Sequence, residues 1–110
     1  MKIAISSTGK NIDSNISDIF GRCPYFIIVE IKNGKTGKVE VIKNNNADHV
    51  SGAGIFVAQL LAEKNVNAVI TGNVGPRAVD ILKQFNIDVY NEKGVVKSIL
   101  QEFINKKFKQ

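Results

Sequence analysis

After Ile70 the chain reads Thr71-Gly72-Asn73-Val74-Gly75-Pro76-Arg77, a glycine-rich turn between an apolar strand and a helix. The spacing puts Gly75 at an N-cap and Pro76 at the first helical position, where a missing N–H costs nothing. Such a turn aims backbone N–H groups and the positive end of a helix at one point, an arrangement that suits an anion. Arg77 adds a guanidinium to the first turn of that helix. Only two arginines accompany the thirteen lysines of the chain. The other, Arg22, stands in a second unusual segment, Phe20-Gly21-Arg22-Cys23-Pro24. Planar, permanently charged donors are thus confined to two places. A steric account also covers the turn, with Gly72 and Gly75 merely permitting a tight reversal. Both accounts stay open at this point.

Two further residues have chemistry of their own. His49 is the only histidine, just before Ser51-Gly52-Ala53-Gly54 and the first helix, and imidazole is both a common metal ligand and a neutral-pH base. The plainer alternative is an exposed loop histidine ahead of an N-cap. Cys23 sits between Arg22 and Pro24 in a loop. As a thiolate it could bind a soft metal, with Arg22 lowering its pKa; equally, it is a small half-buried residue at a loop-to-strand junction. Evidence for catalysis is absent. Neither G-x-G-x-x-G nor G-x-x-x-x-G-K-[ST] occurs. Ser6 and Ser7 have no histidine beside them in sequence, and Asp13, Asp18 and Asp48 read as turn formers. Two-metal phosphoryl-transfer enzymes need carboxylates on their strands, and the first strand carries none.

Composition bounds the rest. A length of 110 residues, 44% hydrophobic and 23% charged, describes one domain over 1–110 with one core. No apolar run approaches the ~20 residues that cross a bilayer, and the start is too short for a secretory signal, so no membrane role and a cytoplasmic location are expected. One cysteine excludes an internal disulfide, and no His/Cys cluster has zinc spacing. The net charge of +5 is spread over Lys32, Lys35, Lys38, Lys43 and a terminal group at Lys106, Lys107 and Lys109. Without an arginine-rich stripe or interleaved aromatics, it does not describe a nucleic-acid surface. An acidic partner or an anionic ligand fits better.

The elements that must position these residues are legible in outline. Ile3–Ser6 reads as a first strand, and Thr8–Cys23 as a polar loop of the length that is functional or mobile. Tyr25–Ile31 and Lys38–Lys43 form an antiparallel hairpin around Asn33-Gly34, with Thr36-Gly37 lengthening its loop. A helix runs from about Ser51 to Lys64, apolar enough to be buried on more than one side. Strand 67–70, helix Arg77–Phe85, strand Ile87–Tyr90 and a last helix after Gly94 follow, the last with a stripe through Val95/Val96, Ile99/Leu100, Phe103/Ile104 and Phe108 that is expected to be core. Asn65 and Asn86 take left-handed caps. The strand–helix alternation of the second half requires parallel pairing, so the sheet is mixed and the class is α/β. Ligands of such sheets bind beyond the carboxyl ends of the parallel strands. There the loop after the first strand, the Asp48–Gly54 turn and the Gly72–Arg77 turn should gather.

Taken in order, these pieces resemble the dinitrogenase iron–molybdenum cofactor biosynthesis family. The resemblance rests on Lys2-Ile3-Ala4-Ile5, on Phe20-Gly21-Arg22 with Phe26 beyond, and on His49 with Gly52 and Gly54 after it. It continues through Ala68-Val69-Ile70-Thr71-Gly72-Asn73-Val74-Gly75, Leu82 and Ile87-Asp88-Val89-Tyr90. It implies a ribonuclease H-like three-layer fold, a five-stranded mixed sheet with an N-terminal antiparallel hairpin and flanking helices. It also implies a carrier of iron–sulfur or iron–molybdenum–sulfur clusters, with a histidine in cluster binding that His49 alone could match. Cys23 falls where the family has a small residue, so its ligand role does not follow from the resemblance. Similar proteins occur in organisms that fix no nitrogen, so a role in nitrogen fixation does not follow either.

Such clusters are anionic and bring most of their own ligands. His49 and Cys23 as metal ligands, with Arg22, Gly72, Asn73, Gly75 and Arg77 as donors, would suffice for a carrier and would permit release. The expected function is therefore a non-catalytic cluster carrier, not an enzyme, that works with cluster-assembly proteins. Two alternatives remain: a regulatory docking module of cluster assembly that binds no metal, and a binding protein for a phosphorylated metabolite.

Overall fold

The computed structural model describes residues 1–45 and 52–108. Five strands and three helices alternate as the second half of the sequence predicts: β1 (Lys2–Ser7), β2 (Tyr25–Lys32), β3 (Lys35–Lys43), α1 (Ala53–Glu63), β4 (Ala68–Thr71), α2 (Pro76–Gln84), β5 (Asp88–Asn91) and α3 (Val96–Phe108). The sheet order is β3-β2-β1-β4-β5. β1 pairs antiparallel with β2 and parallel with β4, and β4 pairs parallel with β5, so β1 is the seam of a mixed sheet.

Alternation along the strands divides the core into two layers. Ala4, Phe26, Ile28 and Val69 face α1 and α2, where Val57, Ala58, Leu61, Ala78 and Leu82 cover them. Ile3, Ile5, Ile27, Val29 and Ile70 face Val96, Leu100 and Ile104 of α3. The arrangement is three-layered, helices on both faces of the sheet. No helix among the described residues is long and apolar enough to cross a membrane.

Several local expectations hold and others change. Asn65 and Asn86 adopt φ of 62° and 59° at the ends of α1 and α2, as their cap positions predict. The hairpin loop is shorter than expected. Asn33 and Gly34 form a two-residue turn with φ of 54° and 74°, the left-handed pair that matches strand twist. β3 therefore begins at Lys35, and a register shift between Val29 and Ile31 absorbs the irregularity at Thr36-Gly37. The predicted helix start at Ser51 lies outside the described residues. α1 buries Ala53, Val57, Ala58 and Leu61, but Phe56 stays 49% exposed, so its apolar positions are not all core.

The largest departure is the loop 8–23. It is a strap laced across the end of the sheet. Isolated bridges join Ser7 to Ile16, Asn15 to Val95 and Ile19 to Asn73. Ile16 and Phe20 are buried. Phe20 meets Phe26 edge to face at 5.5 Å.

Candidate functional site

The strap meets the β4–α2 turn through backbone bonds. Gly72 N–H donates to Ser17 O at 3.0 Å, Asn73 N–H to Asp18 O at 2.6 Å, and Phe20 N–H to Asn73 O at 2.9 Å. Beneath them, Ser6 Oγ lies 2.7 Å from Thr71 Oγ1 and 3.2 Å from the Ser17 carbonyl, in a buried polar cluster. Gly72 is needed for this approach. A Cβ there would stand 2.3 Å from the Asp18 carbonyl oxygen.

The amides of Gly72 and Asn73 are therefore spent on the strap. This corrects the expectation that they serve as anion donors. Gly72 lines a separate depression with Asp18, Asn91, Glu92 and Lys93, while Asn73 stands between the two hollows.

On the other side of Asn73 lies a cleft of about 340 Å³, lined by Phe20-Gly21-Arg22, Gly52-Ala53-Gly54 and Gly75-Pro76-Arg77 among others. The three features expected at the carboxyl end of the parallel strands thus converge, as far as their described residues go. Two glycine contacts close the arrangement. A Cβ at Gly21 would sit 2.6 Å from Gly54 N, and one at Gly54 would sit 3.1 Å from the Ala78 Cβ. Asn44, buried just before residues 46–51, donates from Nδ2 to the carbonyls of Gly21 and Cys23 at 3.0 and 2.8 Å, fixing the Arg22 loop.

Among the described residues the charges lining the cleft have one sign. α1 starts at Gly52 and α2 at Gly75, neither start has a side-chain cap, and neither first turn carries an acid. First-turn amides of a helix have no intrahelical partner, so both starts present donors and the positive dipole end. α3 differs: Val96 and Lys97 N–H donate to Ser14 and Ile12 carbonyls of the strap at 2.9 and 2.8 Å. Arg22 and Arg77 are both exposed along the cleft, and no carboxylate stands among its described walls. Its volume is at the lower end of small-ligand sites. It suits a compact anion.

His49 lies outside the described residues, as does most of the Asp48–Gly54 turn; in sequence it precedes Gly52 by three positions. Cys23 is corrected. Its side chain is fully buried behind Phe20, its thiol donates to the Phe20 carbonyl at 3.3 Å, and it does not line the cleft. Burial pushes the thiol up to about 12, the opposite of the lowering expected from Arg22. Among the described residues no group of three or more His, Cys, Asp or Glu side chains gathers as a metal site.

The Cys23 thiol gives a pH dependence whose sign follows from linkage. The folded thiol keeps its proton to about 12, against its usual 9.0. Its contribution to stability is thus complete below that usual value and is lost as pH rises towards the folded one. Urea unfolding across that window should show the parent losing stability more steeply than Cys23→Ala, by at most about 1.4 kcal/mol per pH unit. Parallel curves would mean a thiol in contact with water.

The glycines and arginines of the cleft are visible in sequence. Asn44 and the Ser6/Thr71/Ser17 cluster are not, since nothing about Asn44-Asn45 separates a buried staple from an ordinary turn.

Comparison with known proteins is consistent with this geometry. A family model described as dinitrogenase iron–molybdenum cofactor matches residues 1–106. An uncharacterized protein of Methanocaldococcus jannaschii is 42% identical over 91 residues, 82% of this chain and 77% of that protein. The apo form of the orange protein from Desulfovibrio gigas superposes with a TM-score of 0.87 at 29% identity, covering 96% of this chain and 88% of that one. A Thermotoga protein provisionally described as NifB gives 0.78 at 37% identity, over 97% and 89% of the two chains.

Proposed function

The chain belongs to the dinitrogenase iron–molybdenum cofactor family, and on that premise we propose that it is a non-catalytic carrier for an anionic metal–sulfur cluster, iron–sulfur or iron–molybdenum–sulfur, held in the arginine-lined cleft. One observation carries the reading: two uncapped helix starts and two guanidinium groups meet at a cleft with no carboxylate in its described walls. Sulfide-rich clusters bring negative charge, and hydrogen bonds to their sulfurs tune them. What they require of a carrier is a set of donors and few protein ligands.

First-turn amides of α1 and α2, with Arg22 and Arg77, are the donors. His49, three residues before Gly52, is the imidazole ligand. Cys23, with its sulfur in the core, is left out of the ligand set. A single protein ligand lets the cargo leave again, which transfer demands. Ile19 lines the cleft, Phe56 packs near Gly52 beside it, and both are about half exposed. We read them as the contact for the cluster-assembly protein that fills or empties the site. The three layers and mixed sheet accord with a ribonuclease H-like fold, and the setting is the cytoplasm.

The test is anaerobic reconstitution with iron and sulfide, followed by desalting and absorption and paramagnetic resonance spectra. Expected is a coloured, paramagnetic species on reduction that the parent retains and His49→Ala loses with its circular dichroism unchanged. If the parent stays colourless with iron–sulfide and with a preassembled molybdenum cluster, the carrier reading fails. A phosphate-induced rise in melting temperature would then favour the phosphorylated-metabolite alternative.

A further inference from the structure

The longest strand of this sheet is also its least protected. β3 spans 9 residues, Lys35–Lys43, at the edge beyond β2, so one row of its N–H and C=O groups faces outward over about 30 Å. The opposite edge, β5, has only 4 residues, the short form in which edges are usually kept.

Register places Val39 opposite Val29 and Val41 opposite Ile27, hence on the α3 side of the sheet. α3 does not reach them. Its last turn sets Phe108 against Gly34 at the hairpin tip, and Val39 and Val41 stay 46% and 42% exposed.

Charge says what would cover this edge. Lys35, Lys38 and Lys43 lie along the strand and are exposed. Lys10 stands 5.9 Å from the Tyr25 ring centroid and shares a shallow depression with Tyr25, Val41 and Lys43. Glu40, the strand's own carboxylate, is paired with Lys64 at 3.2 Å, and Glu30 on β2 with Lys32 at 3.1 Å. A second copy of β3 laid antiparallel over its full length would set Lys35 against Lys43 at both ends, which disfavours self-pairing, and Glu40, which would face Lys38, is already engaged by Lys64. The same charges favour an acidic strand.

We propose that β3 is a docking edge for an extended, acidic and partly apolar segment of a partner protein, which joins the sheet as an added strand. Main-chain bonds would supply the affinity, and alternate side chains over Val39 and Val41 the specificity. The cleft plays no part in this, so the proposal stands apart from the carrier reading.

The probe is a fluorescent peptide of alternating glutamate and valine, matched to the strand's 9 residues and titrated against the intact protein by anisotropy and amide NMR. Expected are saturable binding, shift changes concentrated on Lys35–Lys43, and affinity weakened about tenfold or more by Lys38→Glu with Lys43→Glu. The equally charge-reversing pair Lys106→Glu with Lys107→Glu on α3 should leave affinity unchanged. Absence of binding would overturn the proposal. So would equal binding of a peptide of the same charge with proline at alternate positions, since charge alone would then suffice. Shifts centred elsewhere, or self-association of the protein through β3, would overturn it too.

Discussion

Replacing both arginines of the cleft, Arg22→Ala with Arg77→Ala, should weaken binding of a metal–sulfur cluster by about a hundredfold to ten-thousandfold. Each hydrogen bond to a charged group contributes roughly 1.5–3 kcal/mol, and about 1.4 kcal/mol corresponds to a factor of ten. Both side chains are exposed, so the fold should survive, with a melting temperature close to that of the parent. Lysine at the two positions separates charge from geometry. A lysine pair keeps the field of the cleft but loses the planar fork, and should recover only part of the affinity. Full recovery would make the arginines mere counter-charges. Unaltered binding by the alanine pair would move the cargo out of this cleft. Competition by salt is the natural second readout, because an exposed electrostatic site is screened within about 10 Å at 0.1 M.

Two glycines three positions apart should respond very differently. Gly72→Ala puts a methyl 2.3 Å from the Asp18 carbonyl oxygen and 2.6 Å from two more backbone atoms of Asp18. No side chain can swing aside, so the strap must shift. The bonds from Gly72 to Ser17 and from Asn73 to Asp18 go with it. A loss of about 2–4 kcal/mol is expected from overpacking with broken buried hydrogen bonds, a fall of roughly 8–20 °C in melting temperature for a chain of this size. Gly75→Ala meets nothing within 4 Å and replaces a residue at φ −65° and ψ 155°, ordinary backbone for any amino acid. It should change stability by no more than about 0.5 kcal/mol. Equal effects at the two positions would contradict the close approach of strap and turn.

That contrast shows where the sequence stops being informative. Gly72 and Gly75 look alike in a list of turn residues; what separates them is a carbonyl from Asp18, far back along the chain. Periodicity reveals α3, whose Val96, Leu100 and Ile104 recur at helical spacing. It also reveals the two strands buried on both faces, and turn chemistry reveals Asn65 and Asn86. These are local signals. The strap leaves none, because its partners at Asn73 and Val95 are chosen by long-range backbone bonds that any residue type can make. Cys23 is misread for a related reason. Its neighbours in sequence, Arg22 and Pro24, are exposed, whereas its neighbours in space are not. The edge at Lys35–Gly37 reads as loop because a two-residue turn followed by a bulge uses the same residues as a longer loop. The cleft itself was foreseeable from topology alone, since the parallel strands must send their crossovers apart at their carboxyl ends.

The anchoring of the strap at both ends of the chain also bears on when the protein becomes competent during its own synthesis. Chains emerge from the N-terminus, and locally connected parts fold first. The β2–β3 hairpin has all its partners early. Ile12, Ser14 and Ile16, by contrast, wait for Gly94, Val96 and Lys97, and the Phe20–Arg22 wall of the cleft follows directly behind them. A nascent chain that has just made β4 and α2 already owns the cleft's described residues and the bonds that tie Phe20 to Asn73 and Asn44 to Gly21 and Cys23, yet the first half of the strap still lacks its partners. The strap is therefore fully laced only once the chain has been made through α3.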